Sequence, residues 1–275
     1  MMTNQPARKR ILIDGVPTSY LDLGEGEPIV ALHGIPTSSL LFLPMVPFLG
    51  ARRLIAPDLL GQGETESPPE GPLGFVEYYN HLCGFMNAVA PRRFHLLVHD
   101  LGAVLGLEWA ADNADRLESL TILSTTLTSS IRVGVLIYAA NLIFGRSLLR
   151  WGMRHMLKRS GNLDHGLIEE WSRPWSRRRV LRGTDHFSAR HLNRIRSRLS
   201  GIRSPVLLIW GGRDDIFPLR HAAEIVKTLP HAKLRVIEGC GHWLPLDAPD
   251  EVARILSEFL SQSAIESSPR SKTPE

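Results

Sequence analysis

Three places in the 275-residue chain carry side chains that could do chemistry. The first is His99-Asp100-Leu101-Gly102, where the apolar run FHLLVH stops and an amphipathic pattern begins. Such a junction is how a strand passes into a helix through a tight turn that exposes the side chain at its tip. In the commonest version the tip is a serine; here it is Asp100. The second place is the pair Asp214-Asp215 after PVLLIWGGR, and the third is His242 after KLRVIEGCG. A carboxylate, with an ordinary pKa of about 3.9, is already an anion at neutral pH and needs no base to become a nucleophile. Its attack on an ester or amide carbonyl would create a high-energy mixed anhydride. Attack on a saturated carbon bearing a halide or an epoxide oxygen creates an ordinary alkyl ester. Water activated by His242 could then cleave that ester, with an acid behind the imidazole fixing its tautomer and stabilising the imidazolium.

Positioning these groups requires a sheet. Short β-like runs at residues 11–13, 19–23, 28–34, 53–58, 94–100, 119–124, 205–211 and 233–239 are bounded by Gly, Pro and Asp, which predicts about eight strands. Helical patterns fall at Phe75–Val89, Ala103–Asn113, His221–Leu229 and Pro249–Leu260. Alternation of helices with continuously apolar strands implies a mostly parallel sheet covered on both faces. Asp100, the Asp214-Asp215 pair and His242 each follow a strand, at the end of the sheet where ligands bind in such folds. From residue 127 to 200 no strand is predicted, only arginine-rich helical segments with Trp151, Trp171 and Trp175. The polar tail SQSAIESSPRSKTPE is expected to be disordered.

Composition narrows the class. With 43% apolar and 22% charged residues the chain reads as an ordinary soluble globular protein of one domain with an insertion. Cys83 and Cys240 lack any Cys/His partner pattern, so neither disulfides nor a metal site is expected, no cofactor fingerprint is present, and a reducing cytoplasm fits. No apolar segment follows the basic N-terminus, and the longest apolar stretch, Val133 to Phe144, is too short to span a bilayer. Residues 146–203 carry 15 Lys/Arg against 4 Asp/Glu. No nucleic-acid motif or interleaved aromatic platform accompanies that charge, so a solvated helical face is expected rather than nucleic-acid binding. Contact of the apolar stretch with a membrane surface is a less favoured alternative to lining a pocket.

Five segments, each at a predicted strand end and in the right order, carry a family resemblance: HGIPTSS (33–39), APDLLGQGETESP (56–68), VHDLGAVLGLEWA (98–110), IWGGRDDIFP (209–218) and GCGHWLPLDAP (239–249). The chain resembles the α/β-hydrolase fold, in the branch that holds haloalkane dehalogenases and epoxide hydrolases. That resemblance implies a core of residues 1–126 and 201–261, an inserted helical cap at 127–200 and a disordered tail at 262–275. It implies Asp100 as nucleophile and His242 as base, with Asp214 rather than Asp215 as the acid, four residues after Trp210. It also places the backbone N–H groups of Ile35 and Leu101 as the oxyanion hole, with Pro36 restricting Ile35 to extended geometry.

The chain departs from its relatives at the leaving group. Haloalkane dehalogenases usually hold the halide with a tryptophan after the nucleophile and an asparagine in the His-Gly loop. Leu101 and Ile35 stand there instead, and neither side chain can donate a hydrogen bond. Fluoroacetate dehalogenases place an arginine after the nucleophile, which is also missing. Epoxide hydrolases usually use two cap tyrosines; Tyr138 is the one tyrosine of the insert, and His186 or His191 stands near the place of the second. The expectation is therefore an Asp-nucleophile hydrolase that opens a small hydrophobic epoxide, with water as co-substrate. A haloalkane dehalogenase is the alternative within the class, and a ligand-binding or signalling homologue with little turnover the alternative outside it.

Overall fold

The computed structural model describes residues 6–68, 70–71, 73–128, 146–154, 157–159, 163–174, 188–229 and 231–267. Eight strands form one sheet: β1 (Lys9–Ile13), β2 (Val16–Leu23), β3 (Glu27–Leu32), β4 (Arg52–Pro57), β5 (Phe94–His99), β6 (Leu117–Leu123), β7 (Val206–Gly211) and β8 (Lys233–Ile237). Their spatial order is β1-β2-β4-β3-β5-β6-β7-β8. The β1–β2 and β2–β4 pairings are antiparallel; the remainder are parallel. This is the mostly parallel eight-stranded sheet expected. The central strands FHLLVH and VLLIWG are buried at every residue, because helices cover both faces of a parallel sheet.

Alternate residues feed two cores. Val30, Leu32, Leu96, Val98, Leu208 and Trp210 face α1 (Phe75–Ala88), α2 (Leu101–Asp112) and α6 (Arg220–Thr228). Ile29, Ala31, Leu97, Leu207 and Ile209 face α7 (Pro249–Ser267) and a 3₁₀ helix, Ser39–Phe48. That 3₁₀ helix has no counterpart in the sequence reading. SLLFLPMVPF is apolar on all sides and holds Pro44 and Pro47, so it shows no amphipathic period to find. Between β6 and β7 the described residues hold α3 (Arg146–Arg154), α4 (His165–Ser172) and α5 (Ala189–Arg198), and no strand. Tyr138, His186 and the apolar stretch Val133 to Phe144 lie outside the described residues.

The C-terminal helix corrects the sequence reading at residues 262–267. It runs to Ser267 instead of ending near residue 261. The serines that suggested a tail turn back onto the helix: Ser261 Oγ donates to Ser257 O and Ser263 Oγ to Phe259 O, both at 2.9 Å. Among the described residues, no helix is long and apolar enough to cross a membrane.

The chain reverses direction across the sheet at β3, which lies between β4 and β5. Strand carboxyl ends at such a switch point open a crevice, and Ile35 and Asp100 follow the two strands that border it.

Candidate functional site

Asp100 makes the turn between β5 and α2 in a single residue, with φ 52° and ψ −122°. A non-glycine residue in this region is strained and persists only where its surroundings hold it. They do so on both sides: its N–H donates to Ser124 O at 3.2 Å, and its carbonyl accepts from Thr125 Oγ1 at 2.9 Å and Ala103 N at 3.0 Å. Two glycines make room. A Cβ on Gly102 would lie 2.4 Å from the carbonyl oxygens of Leu32 and His33, and one on Gly34 would lie 2.2 Å from Asp100 Oδ1.

The carboxylate that results is almost buried, at 7% exposure, and its two oxygens meet different partners. Ile35 N–H donates to Oδ1 at 2.8 Å, and the neighbouring Leu101 N–H helps hold the carboxylate ionised. Oδ2 lies 3.6 Å from His242 Nε2. On the far side of the imidazole, Nδ1–H donates to Asp214 Oδ2 at 3.1 Å. Asp214 Oδ1 in turn accepts from Ile216 N at 2.9 Å and Phe217 N at 2.8 Å, so this acid is fully occupied. The neighbouring Asp215 is 74% exposed and pairs with Lys158 Nζ at 2.8 Å, away from the imidazole. The structure thus brings together Asp100, His242, Asp214 and the Ile35 and Leu101 N–H groups, residues 35 to 242 of the chain.

Loop packing explains how such distant residues meet. Trp210 Nε1–H donates to Phe217 O at 2.7 Å, closing the loop that carries Asp214. Gly211 allows that loop to touch the histidine loop, since a Cβ there would sit 2.3 Å from Gly241 O. Phe217 packs edge-on against His242 with ring centroids 5.3 Å apart. Asp247, 4% exposed, accepts from Gly241 N at 2.7 Å and from Arg159 N at 2.7 Å, tying the histidine loop to the insert.

The charges follow from this geometry. Burial alone would push His242 down, but the anions Asp214 and Asp100 outweigh it and hold the imidazole up to about 9. Burial likewise opposes ionisation of Asp100 and Asp214, yet both stay below the usual carboxylate range because each faces the imidazolium and accepts backbone N–H groups. Under the site His99, fully buried, donates from Nε2 to His242 O at 3.0 Å. Burial, reinforced by the charge of His242, pushes it down to about 3 and keeps it neutral.

Sequence reasoning missed His99, Gly34 and Asp247. His99 read as one more residue of an apolar strand, and Gly34 and Asp247 lay inside recognised motifs with no local sign of what they would touch. Among the described residues no group of three His, Cys, Asp or Glu side chains could hold a metal ion.

Comparison with known proteins agrees with this architecture. Over 276 residues the chain is 25% identical to a 2-hydroxymuconate semialdehyde hydrolase of Pseudomonas putida, covering 93% of this chain and 94% of that one. Over 118 residues it is 38% identical to a haloalkane dehalogenase of Sphingobium indicum, 41% of this chain and 40% of that one. The crystal structure of haloalkane dehalogenase DbeA from Bradyrhizobium elkani is similar with a TM-score of 0.79 at 19% identity, covering 95% of this chain and 99% of that one; at that identity the likeness speaks for the fold alone. Residues 27–249 match the family described as alpha/beta hydrolase fold, and with the eight-stranded sheet in place the chain belongs to that family.

Proposed function

We propose that this hydrolase uses Asp100 as a nucleophile on saturated carbon and His242 as the base that cleaves the resulting ester. One observation carries the reading: Oδ1 of Asp100 already sits on the Ile35 N–H at 2.8 Å, while Oδ2 is turned toward His242. The two oxygens have separate tasks. Oδ2 attacks carbon, the carbon–oxygen bond of an epoxide breaks, and its electron pair leaves as an alkoxide that takes up a proton. Ester formation removes one of the two anions that hold His242 protonated. Its pKa falls, and the proton released matches the one the alkoxide acquires.

Neutral His242 then takes a proton from water as the hydroxide adds to Cγ of Asp100. Negative charge develops on Oδ1, where the Ile35 N–H already points, and we assign the Leu101 N–H, next in the chain to Asp100, as the second donor. Collapse breaks the bond between Cγ and the alkyl oxygen, releases the diol, and restores the carboxylate and the imidazolium.

Epoxide opening is favoured over halide displacement, because Leu101 and Ile35 present apolar side chains where a halide would need donors, and a buried anion without donors is costly. Dehalogenation is the second reading, supported by the 38% identity to the Sphingobium enzyme over 118 residues. The substrate class is a small hydrophobic electrophile, with water as the other reactant and Tyr138 and His186 as candidate contacts to the leaving group.

The test is a single turnover in ¹⁸O-water with enzyme in excess, using styrene oxide and 1-bromobutane as probes. Product of the first turnover should be mostly unlabelled, the label entering Asp100. His242→Ala should accumulate the ester as a mass increase on the Asp100 peptide. Label in product from the first turnover, with no adduct, would mean that water attacks directly and would overturn the mechanism. No turnover and no adduct with either probe would favour a ligand-binding homologue.

A further inference from the structure

Helix α4 of the insert reaches both loops of the site. Trp171, fully buried, donates from Nε1 to Ser38 Oγ at 2.9 Å, and its ring packs edge-on against Trp243 with centroids 5.3 Å apart. Ser38 lies three residues after Ile35 on the loop that presents the Ile35 N–H; Trp243 directly follows His242. One indole therefore spans the loop that carries the oxyanion donor and the loop that carries the base. The adjacent Glu170 reinforces the same point: its Oε1 accepts from Ser38 Oγ at 2.7 Å and from Arg8 Nη2 at 2.6 Å. Ser38 is 0% exposed, so water cannot replace these partners if they are lost. The loop between Ile35 and Ser38 is stiff, because Gly34 O accepts from both Thr37 N at 3.1 Å and Thr37 Oγ1 at 3.0 Å. A shift of Ser38 is therefore passed to the Ile35 amide rather than absorbed.

We propose that Glu170 and Trp171 are positioning residues that set the Ile35 N–H relative to His242, acting through Ser38 and Trp243. This rests on the reading of the Ile35 N–H as the donor to the ester oxyanion. The two chemical steps should respond differently. During ester formation charge leaves the carboxylate, so the Ile35 donor stabilises the starting state and its misplacement does not slow the step. During hydrolysis charge builds on Oδ1, so the same misplacement raises the barrier.

Ester formation and ester hydrolysis on Asp100 are followed separately by quenched flow with mass detection, with styrene oxide as probe, in Trp171→Phe, Glu170→Gln, Ser38→Ala and Ser38→Thr. Trp171→Phe keeps an aromatic ring at Trp243 but removes the N–H together with part of a fully buried ring system, so Ser38→Ala, which removes the hydrogen-bond partner with little loss of volume, is read beside it. Hydrolysis should slow by about tenfold or more in Trp171→Phe and Ser38→Ala, short of the 10²–10³ of a donor removed outright, while formation changes by less than about threefold. Glu170→Gln should slow hydrolysis less, and Ser38→Thr should restore it. Independently of any reaction, hydrogen exchange at the Ile35 amide should accelerate by about tenfold in the two damaging variants, with that at Leu101 unchanged. Equal slowing of both steps with a lowered Tm, or unchanged Ile35 exchange, overturns the proposal in favour of a merely structural role. Should styrene oxide leave no adduct even in His242→Ala, the reaction reading is at fault and the exchange measurement alone decides: protection lost at Ile35 supports positioning, protection kept refutes it.

Discussion

Replacing Gly34 by alanine should disable the site while leaving the fold standing. The added Cβ would lie 2.2 Å from both Cβ and Oδ1 of Asp100 and 2.5 Å from Cγ, where 3.4 Å is ordinary contact. Something must move by about 1 Å. The main chain of Asp100 cannot yield easily, since its N–H and C=O are both anchored and its φ of 52° is already strained. Turning the carboxylate would clear Oδ1 and Cγ but not Cβ, so the Gly34 backbone must shift, carrying the adjoining Ile35 N–H away from Oδ1 and breaking their 2.8 Å hydrogen bond. A displacement of about 1 Å at a reacting group can cost 10²-fold, and loss of an oxyanion donor about 10²–10³, so kcat should fall by about 10²–10³ with KM little changed. Overpacking should cost about 1–3 kcal/mol of stability, small enough to leave a folded protein. Steady-state kinetics on the active probe, with circular dichroism and a urea titration, measure both. Gly152→Ala is the control, since a Cβ there meets nothing within 4 Å. Retention of a third or more of wild-type turnover by Gly34→Ala would refute the claim that glycine is needed for close approach to the carboxylate.

Asp214→Asn should drop the imidazole from about 9 toward the ordinary histidine range and slow ester hydrolysis by about 10²–10⁴, whereas the exposed Asp215→Asn should do neither; an NMR titration of His242 reads the shift. Acid should destabilise the fold steeply below pH 6.5, because burial pushes His33 and His81 down to about 4 and His99 to about 3, so the unfolded chain takes up protons first. At 1.36 kcal/mol per pH unit, lowering the pH to 5 should cost about 2 kcal/mol for each of the three, read by urea titrations at pH 7 and 5; a flat profile would mean these histidines are not buried neutral. His242 has the opposite sign: its stabilisation is complete below pH 6.5 and is lost as pH rises through about 9. Leu101→Trp with Ile35→Asn should raise bromide release from 1-bromobutane by supplying the missing N–H donors. Unchanged release in a folded double variant would assign the reaction preference to the insert.

What the sequence alone determined is local in origin. The strands FHLLVH and VLLIWG were legible because a strand buried on both faces must be apolar at every residue, and the helices on the sheet because burial on one side imposes a 3.6-residue period. Asp100 and His242 stood out because each breaks such a pattern at its end with a residue type able to do chemistry. The tertiary structure decided whatever depends on contacts between segments far apart in the chain. Asp214 and Asp215 are the same residue type one position apart; resemblance singled out the first by its distance from Trp210, but the physical difference lies in the folded loop, which turns Asp214 onto the imidazole and Asp215 onto Lys158. Gly34 has no left-handed backbone to demand glycine; the reason for it is the side chain of Asp100, 66 residues later. Ser38 and Trp171, 133 residues apart, carry no mark in their own neighbourhoods of the hydrogen bond between them. Periodicity records which side of an element is buried, but not which partner lies there, and that is settled only when the sheet has brought the loops together.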